Sequence, residues 1–421
     1  MSEQVYLGLD VGSSKVTAVI GERAADRVLD VIGEGSVASE GMKRGAVINL
    51  EKTSAAVRAA VRAAERVAGV EATGAWLSVG GPQIKSKKSH GLAAIRRGHT
   101  ITPEDAERAV EQAKTYPLED GEELLHVVPL EYRVDGQEGI HDPVGMTGVR
   151  LEVDVLLVTA PAGPLANLRR AVEGAGMTIN GLVAAPLASG LGVLTPEEME
   201  MNVLVLDLGA GTTGVGLFKE GRLAFAETLP VGQELVSSDI AKLLKIPFEE
   251  AERFKKKYGA ALPEFADPEL VLEISQEGRA EAAVAAPELA RIIRPRLREI
   301  YALARKAVEE KVGALQVVAD KVVLTGGGAL LKGADELARR DFDLPVRLGR
   351  PRGVDGLADI VASPTHATAV GLLHYAEQHA PSLATGARLR LPRLSREEKP
   401  APSGPSEPLW ERIKNVLKDL F

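Results

Sequence analysis

The chain has 421 residues, is 45% hydrophobic and 26% charged, carries a formal net charge of −8 and contains no cysteine. That length suffices for roughly two to four domain-sized units, and the apolar and charged fractions exclude wholesale disorder. Disulfides and cysteine-ligated metal sites are excluded, the acidic balance argues against a nucleic-acid binder, and no apolar run reaches the ~18 residues of a membrane-spanning helix.

The N-terminus has no basic segment followed by an apolar one, so no signal peptide is expected. Residues 5–22 read as a hairpin: an apolar strand ending in Asp10-Val11-Gly12, a turn of small residues, and a second strand. Residues 28–39 alternate like a strand, and residues 50–68 place Val57, Val61, Ala64 and Ala68 on one helical face. A strand over 74–79 stops at Gly80-Gly81-Pro82. From there to about 159 lies a distinct block that reads as an insertion. It opens with a basic stretch (Lys85, Lys87, Lys88, Arg96, Arg97), which suits a solvated face but could also meet nucleic acid or anionic lipid. Thr102-Pro103-Glu104-Asp105 then starts a helix, and strands follow at 126–134 and 149–159.

Helices at 161–174 and 186–194 flank a strand at 177–183. Residues 202–221 repeat the opening hairpin, with Asp207-Leu208-Gly209 at its turn. Beyond it helices are predicted at 233–244, 248–258, 287–312, 331–340 and 365–378, and strands at 270–274, 321–324 and 346–348. Strands alternating with helices predict an α/β layered architecture, and the repeated hairpin predicts two related domains. Residues 386–408 turn to Pro, Arg, Ser and Glu and read as a linker, before a last segment at 408–421.

Three turns carry chemistry. Asp10-Val11-Gly12-Ser13-Ser14-Lys15 sets a carboxylate at a strand end beside glycine, two hydroxyls and a lysine. Such a turn lets backbone N–H groups approach an anion. Asp207-Leu208-Gly209-Ala210-Gly211-Thr212-Thr213 repeats the logic. Either turn alone could be an acidic hairpin; two with matching flanks point to a phosphate held between them. Asp10 and Asp207 would be repelled by phosphate and would instead act through water on a bridging Mg²⁺. A third turn, Gly326-Gly327-Gly328-Ala329, leaves a strand and is predicted to enter a helix, as a nucleoside-binding turn or a plain tight connection.

In this order the motifs occur in the actin, sugar-kinase and heat-shock ATPase superfamily, and within it the chain resembles the FtsA family of actin-like bacterial cell-division proteins. The likeness spans roughly residues 5–378 and includes GLDVGSSKV at 8–16, GMKRGAVINLEKT at 41–53, DPVGMTGVRLEVDVLLVT at 142–159 and PLASGLGVLTPEE at 186–198. It continues with DLGAGTTGVGLF at 207–218, AERFKKKYG at 251–259, VLTGGGALLKG at 323–333 and HATAVGLLHY at 366–375.

The resemblance implies an actin-like, ribonuclease-H-like two-domain fold. Residues 1–81 and 160–198, with 363–380 returning, would form the first domain, 82–159 an inserted family-specific subdomain, and 199–362 the second domain with 246–312 as its small part. It implies ATP with Mg²⁺ in the cleft. Asp10, Gly12, Ser13, Ser14 and Lys15 match the first phosphate loop, and Asp207, Gly209, Gly211, Thr212 and Thr213 the second. Gly326, Gly327, Gly328 and Ala329 match the adenosine motif. Glu252 and Lys255 match positions facing ribose and adenine; an ordinary i,i+3 surface ion pair is the alternative. Gly214 and Gln233 depart from the family pattern, which often has Asp or Ser at the first and Gly at the second. The helix 186–194 lacks the Gln, Glu or Asp that would position an attacking water, so any ATPase activity is expected to be weak.

The last segment places Leu409, Trp410, Ile413, Val416, Leu417, Leu420 and Phe421 on one helical face. At about 21 Å it is too short to span a membrane and suits an in-plane amphipathic helix, docking on its own domain or a partner being the alternative. FtsA proteins resemble it in ending this way. The resemblance implies self-assembly into filaments, binding of the FtsZ C-terminal tail near the helix 287–312, where Arg294 and Arg298 are candidates, and contact with other division proteins through the insertion. It implies a peripheral place on the cytoplasmic face of the inner membrane at the septum, tethering the FtsZ ring. A pilus-assembly actin homologue and a soluble phosphotransferase of the superfamily are the alternatives.

Overall fold

A computed structural model describes residues 4–23, 28–81, 84–274 and 282–379. The linker 386–408 and the amphipathic segment with Leu409, Trp410, Ile413, Val416, Leu417, Leu420 and Phe421 lie outside the described residues.

Two sheets share one plan. In the first, the strands in spatial order are Thr178–Ala184, Gly74–Val79, Gln4–Val11, Lys15–Arg23 and Leu29–Ala38, with Val354–Gly356 added at the edge. In the second they are Val346–Leu348, Lys321–Thr325, Val203–Leu208, Thr213–Lys219 and Arg222–Leu229. Both join a parallel half to an antiparallel meander through a DxG hairpin, with Asp10 opposite Thr17 and Asp207 opposite Gly214. The expected actin-like α/β duplication is therefore present.

The flanking helices follow from local chemistry. Leu50–Ala68 starts at Asn49, whose side chain accepts from the Lys52 N–H, and stops at left-handed Gly69. Gly33 and Gly35 let this helix lie on the sheet, since a Cβ on Gly35 would stand 2.2 Å from the Ala60 carbonyl oxygen. The helices Ala185–Val193 and Ala367–His379 cross just as closely: a Cβ on Gly371 would meet the Ala188 oxygen at 1.7 Å. Along Ala286–Lys311 the residues Leu289, Ile293, Leu297, Ile300, Ala304 and Val308 form the buried stripe.

The insertion forms its own four-stranded sheet, ordered Lys85–Ala94, Arg150–Pro161, Glu122–Val134 and Gln137–Ile140. Helix Pro103–Lys114 covers it and starts where predicted, with a capping box between Thr102 and Asp105.

The basic stretch gains a definite structure, and one local expectation changes. Lys85, Lys87 and Lys88 lie on an edge strand, in which Ser89, Gly91 and Ala93 alternate toward the covering helix while Ser86 points the other way and accepts the Ala226 N–H at 2.9 Å. The third glycine turn does not run straight into a helix. It makes one 3₁₀ turn at Gly327–Leu330, and the helix begins only at Ala334, after Gly333 at φ +73°.

Candidate functional site

Asp10 and Asp207 end equivalent strands and face one cleft. Leu9 lies opposite Leu77 on the neighbouring parallel strand, which puts Ser78 beside Asp10. Its hydroxyl donates to Asp10 Oδ1 across 2.6 Å. The same register in the second sheet pairs Asp207 with Thr325, but the Thr325 hydroxyl turns to the carbonyls of Gly349 and Pro364. Thr368 holds Asp207 instead, Oγ1 donating to Oδ2 across 3.0 Å.

Burial pushes the Asp10 carboxyl up, against the Ser78 hydroxyl and the charges of Lys15 and His366. Burial and the Asp10 charge together push Asp207 to about 6. Burial lowers Lys15 in turn, against the pull of Asp10 and Glu34. Two carboxylates that repel each other from separate sheets are the electrostatics a cation relieves. Among the described residues no three His, Asp or Glu side chains converge. A divalent ion between these two would keep several waters, which suits Mg²⁺.

The predicted phosphate turns touch. Gly12 closes the first with its N–H on the Lys15 oxygen at 3.0 Å, and Gly209 the second with its N–H on the Asp207 oxygen at 3.0 Å. A Cβ on Gly211 would stand 2.6 Å from Ser13 Oγ and 2.7 Å from Arg44 Cα. The hairpin of Met42–Lys43 and Ala46–Val47 fills this corner, and the Gly45 N–H donates to Ser13 Oγ at 2.8 Å. Ser14 is exposed. Thr212 reaches the Gly80 carbonyl at 3.3 Å, whereas Thr213 commits its hydroxyl to the Val231 carbonyl at 2.8 Å and acts as a brace.

The third turn completes the wall. Gly326 takes φ +78°, and a Cβ on it would stand 2.3 Å from Asp207 Oδ1, so bare backbone is required twice over. Gly327 is open: a Cβ on it would meet nothing nearer than Thr365 Cγ2 at 3.8 Å. Gly328 lies against the Gln233 side chain, and Ala329 is buried. Glu252 and Lys255 sit beside this turn and pair at 2.7 Å. They are not the ordinary surface pair that i,i+3 spacing also allowed: Lys255 is only 8% exposed, and its ammonium donates to the Gln233 carbonyl at 2.9 Å. Burial lowers Lys255, while Glu252 resists. Ser237 donates its hydroxyl to Glu252.

Ser78, Thr368 and Arg44 were not among the sequence candidates. Thr368 and Arg44 stand inside matched motifs, and the strand register of Ser78 was the missing signal. Away from the cleft, Arg294 and Arg298 both lie on the exposed face of Ala286–Lys311. Arg298 pairs with Asp341 at 3.1 Å beside a groove of about 520 Å³ lined by Pro295, Tyr301 and Arg305.

Residues 204–371 match the family described as Cell division protein FtsA, and residues 81–159 match the SHS2 domain inserted in FTSA. The Cell division protein FtsA of Pseudomonas aeruginosa is 36% identical over 421 residues, covering 100% of this chain and 99% of that protein. That of Escherichia coli K12 is 35% identical over 382 residues, covering 89% and 91%. Among solved structures, the PilM-PilN type IV pilus biogenesis complex superposes with a TM-score of 0.62 at 18% identity, covering 88% of this chain and 98% of that one. MreB 5 of Spiroplasma citri bound to AMPPNP gives 0.53 at 14%, covering 89% and 96%. At such identities these two likenesses concern the fold alone.

Proposed function

The chain belongs to the FtsA family of bacterial cell-division proteins, and from that premise we propose that it binds ATP with Mg²⁺, polymerises at the cytoplasmic face of the inner membrane and tethers the FtsZ ring there. The observation that supports the nucleotide reading best is the pairing of Asp10 with Asp207. Each is held by a hydroxyl, and each adjoins a glycine turn whose backbone is bare. When bound, Mg²⁺ would supply charge neutralisation between these carboxylates and the phosphates. Gly12, Ser13, Ser14 and Lys15 would meet the phosphates from one side, and Gly209, Gly211 and Thr212 from the other. Gly326, Gly327, Gly328 and Ala329 would carry the nucleoside near Glu252 and Lys255.

In this reading the helix Ala185–Val193 lines the cleft without an acid or amide, so hydrolysis is slow and the nucleotide acts mainly as a structural ligand. Leu409, Trp410, Ile413, Val416, Leu417, Leu420 and Phe421 would lie in the membrane interface. Among the described residues no helix is long and apolar enough to cross a membrane. One such tail binds weakly, and several on a filament gain by effective concentration, so assembly and membrane attachment reinforce each other. Arg294 and Arg298 would receive the FtsZ tail, and the insertion other division proteins.

Titration calorimetry with Mg²⁺ and ATP, followed by vesicle sedimentation of the full chain and of a chain lacking 409–421, tests this. Saturable ATP binding and loss of sedimentation on truncation are expected. No ATP binding by the full chain, or unchanged sedimentation of the truncated one, would refute the corresponding half.

A further inference from the structure

We propose that Gln233 is a nucleotide-binding residue particular to this chain, its side-chain amide donating to a ribose hydroxyl oxygen. The proposal rests on the reading of the cleft as an ATP site. Gln233 opens the helix Gln233–Leu244 and is 5% exposed. Its main chain is locked on both sides. Its N–H donates to the Gly209 carbonyl at 2.9 Å, in the second phosphate turn, and its carbonyl accepts from Lys255 at 2.9 Å. The side chain then runs along the third turn, where a Cβ on Gly328 would stand 2.6 Å from its Cδ and Nε2. Only glycine lets the amide lie there.

The neighbouring polar groups have partners: Lys255 with Glu252, and Ser237 with Glu252. The Gln233 Nε2 does not. It is buried and meets no acceptor among the described residues. A buried donor without an acceptor is uncommon, and one lying against the third turn points to an acceptor that arrives with the ligand. The amide is neutral and stands between the turn predicted to hold phosphate and the turn predicted to hold the nucleoside. The ribose spans that interval in a nucleotide, and its hydroxyl oxygens are neutral acceptors. Where the family often has glycine, this chain would add one hydrogen bond.

The test uses the full chain with Mg²⁺ and three probes, ATP, 2′-deoxy-ATP and 3′-deoxy-ATP, against wild type and Gln233→Leu. Leucine keeps the bulk and removes the donor. Wild type is expected to bind ATP roughly 3- to 10-fold more tightly than Gln233→Leu. It should lose a similar factor with the deoxynucleotide that lacks the accepting oxygen, a factor Gln233→Leu does not lose again. Without nucleotide, Gln233→Leu should melt no lower than wild type, because an unpaired donor has left the interior. Equal ATP affinity of the two proteins, no distinction among the nucleotides by wild type, or a lower melting temperature for nucleotide-free Gln233→Leu would each overturn the role of Gln233 while leaving the ATP reading intact. Failure of wild type to bind any of the three would overturn the ATP reading and this inference together.

Discussion

Thr368 donates its hydroxyl to Asp207 Oδ2 across 3.0 Å, so the last described helix holds a carboxylate of the second hairpin. Ser78 serves Asp10 in the same way from a neighbouring strand. The two bonds tie up one oxygen of each carboxylate, Asp10 Oδ1 and Asp207 Oδ2. Thr368→Val and Ser78→Ala should each weaken Mg²⁺-dependent ATP binding about 10-fold, the size of one hydrogen bond to a charged group. Calorimetry with and without Mg²⁺ checks this; an equal loss in both conditions would mean the hydroxyls do not act through the cation.

Gly326 and Gly327 are adjacent and should behave oppositely. Alanine at 326 meets a left-handed backbone and the Asp207 carboxylate, so Gly326→Ala should lose at least ~1–3 kcal/mol of stability, and nucleotide binding with it. Gly327→Ala has room and should stay within ~0.5 kcal/mol of wild type. Urea denaturation of the pair measures the contrast.

Glu198 joins the link between the sheets to the second sheet. Burial alone would raise it, but Arg347, the Thr195 N–H and Lys321 outweigh burial and hold it at about 2. A depressed acid stabilises the fold above its unfolded pKa of about 4.5, and that contribution fades as pH falls through about 2. Glu198→Gln should therefore be less stable by roughly 2–3 kcal/mol at pH 7, the gap closing between pH 4.5 and 2. Denaturant midpoints at pH 7 and pH 3 read it.

His126 ties the insertion to the first sheet, its Nε2 accepting the Ala184 N–H at 2.9 Å. Burial, then the neighbouring His379, lowers it to about 4. A base lowered in this way stabilises the fold above its unfolded pKa of about 6.5, and the contribution is lost as pH falls toward 4. His126→Phe should cost ~1–3 kcal/mol at neutral pH through the unpaired Ala184 N–H. The wild type should lose stability relative to this variant between pH 6.5 and 4. Parallel melting curves across that range would contradict it.

For the FtsZ tail, Arg294→Ala with Arg298→Ala should weaken binding at least 10-fold and reduce its salt dependence, as expected for charges that meet an acidic peptide. Fluorescence anisotropy with a labelled tail peptide, at two salt concentrations, measures both effects. Unchanged affinity would overturn the proposed docking role of the two arginines.

Much of the fold was legible because its signals are local. The DxG hairpins, the helix capped by Asn49 and Gly69, and the Thr102–Asp105 capping box each depend on residues a few positions apart. The lysine edge strand was harder, since its inward residues are small and its outward charges mask the alternation. The interleaved strand order followed only from the sheets themselves.

The sequence by itself determined the turns: glycines and carboxylates whose backbone geometry needs only their immediate neighbours. The tertiary structure alone decided what surrounds them. Ser78 reaches Asp10 across 68 residues of chain and Thr368 reaches Asp207 across 161. Gln233 meets Gly328, and Lys255 turns inward to the Gln233 carbonyl. Contacts at such separations are set by strand register and helix docking, and no periodicity or spacing within a single segment encodes them.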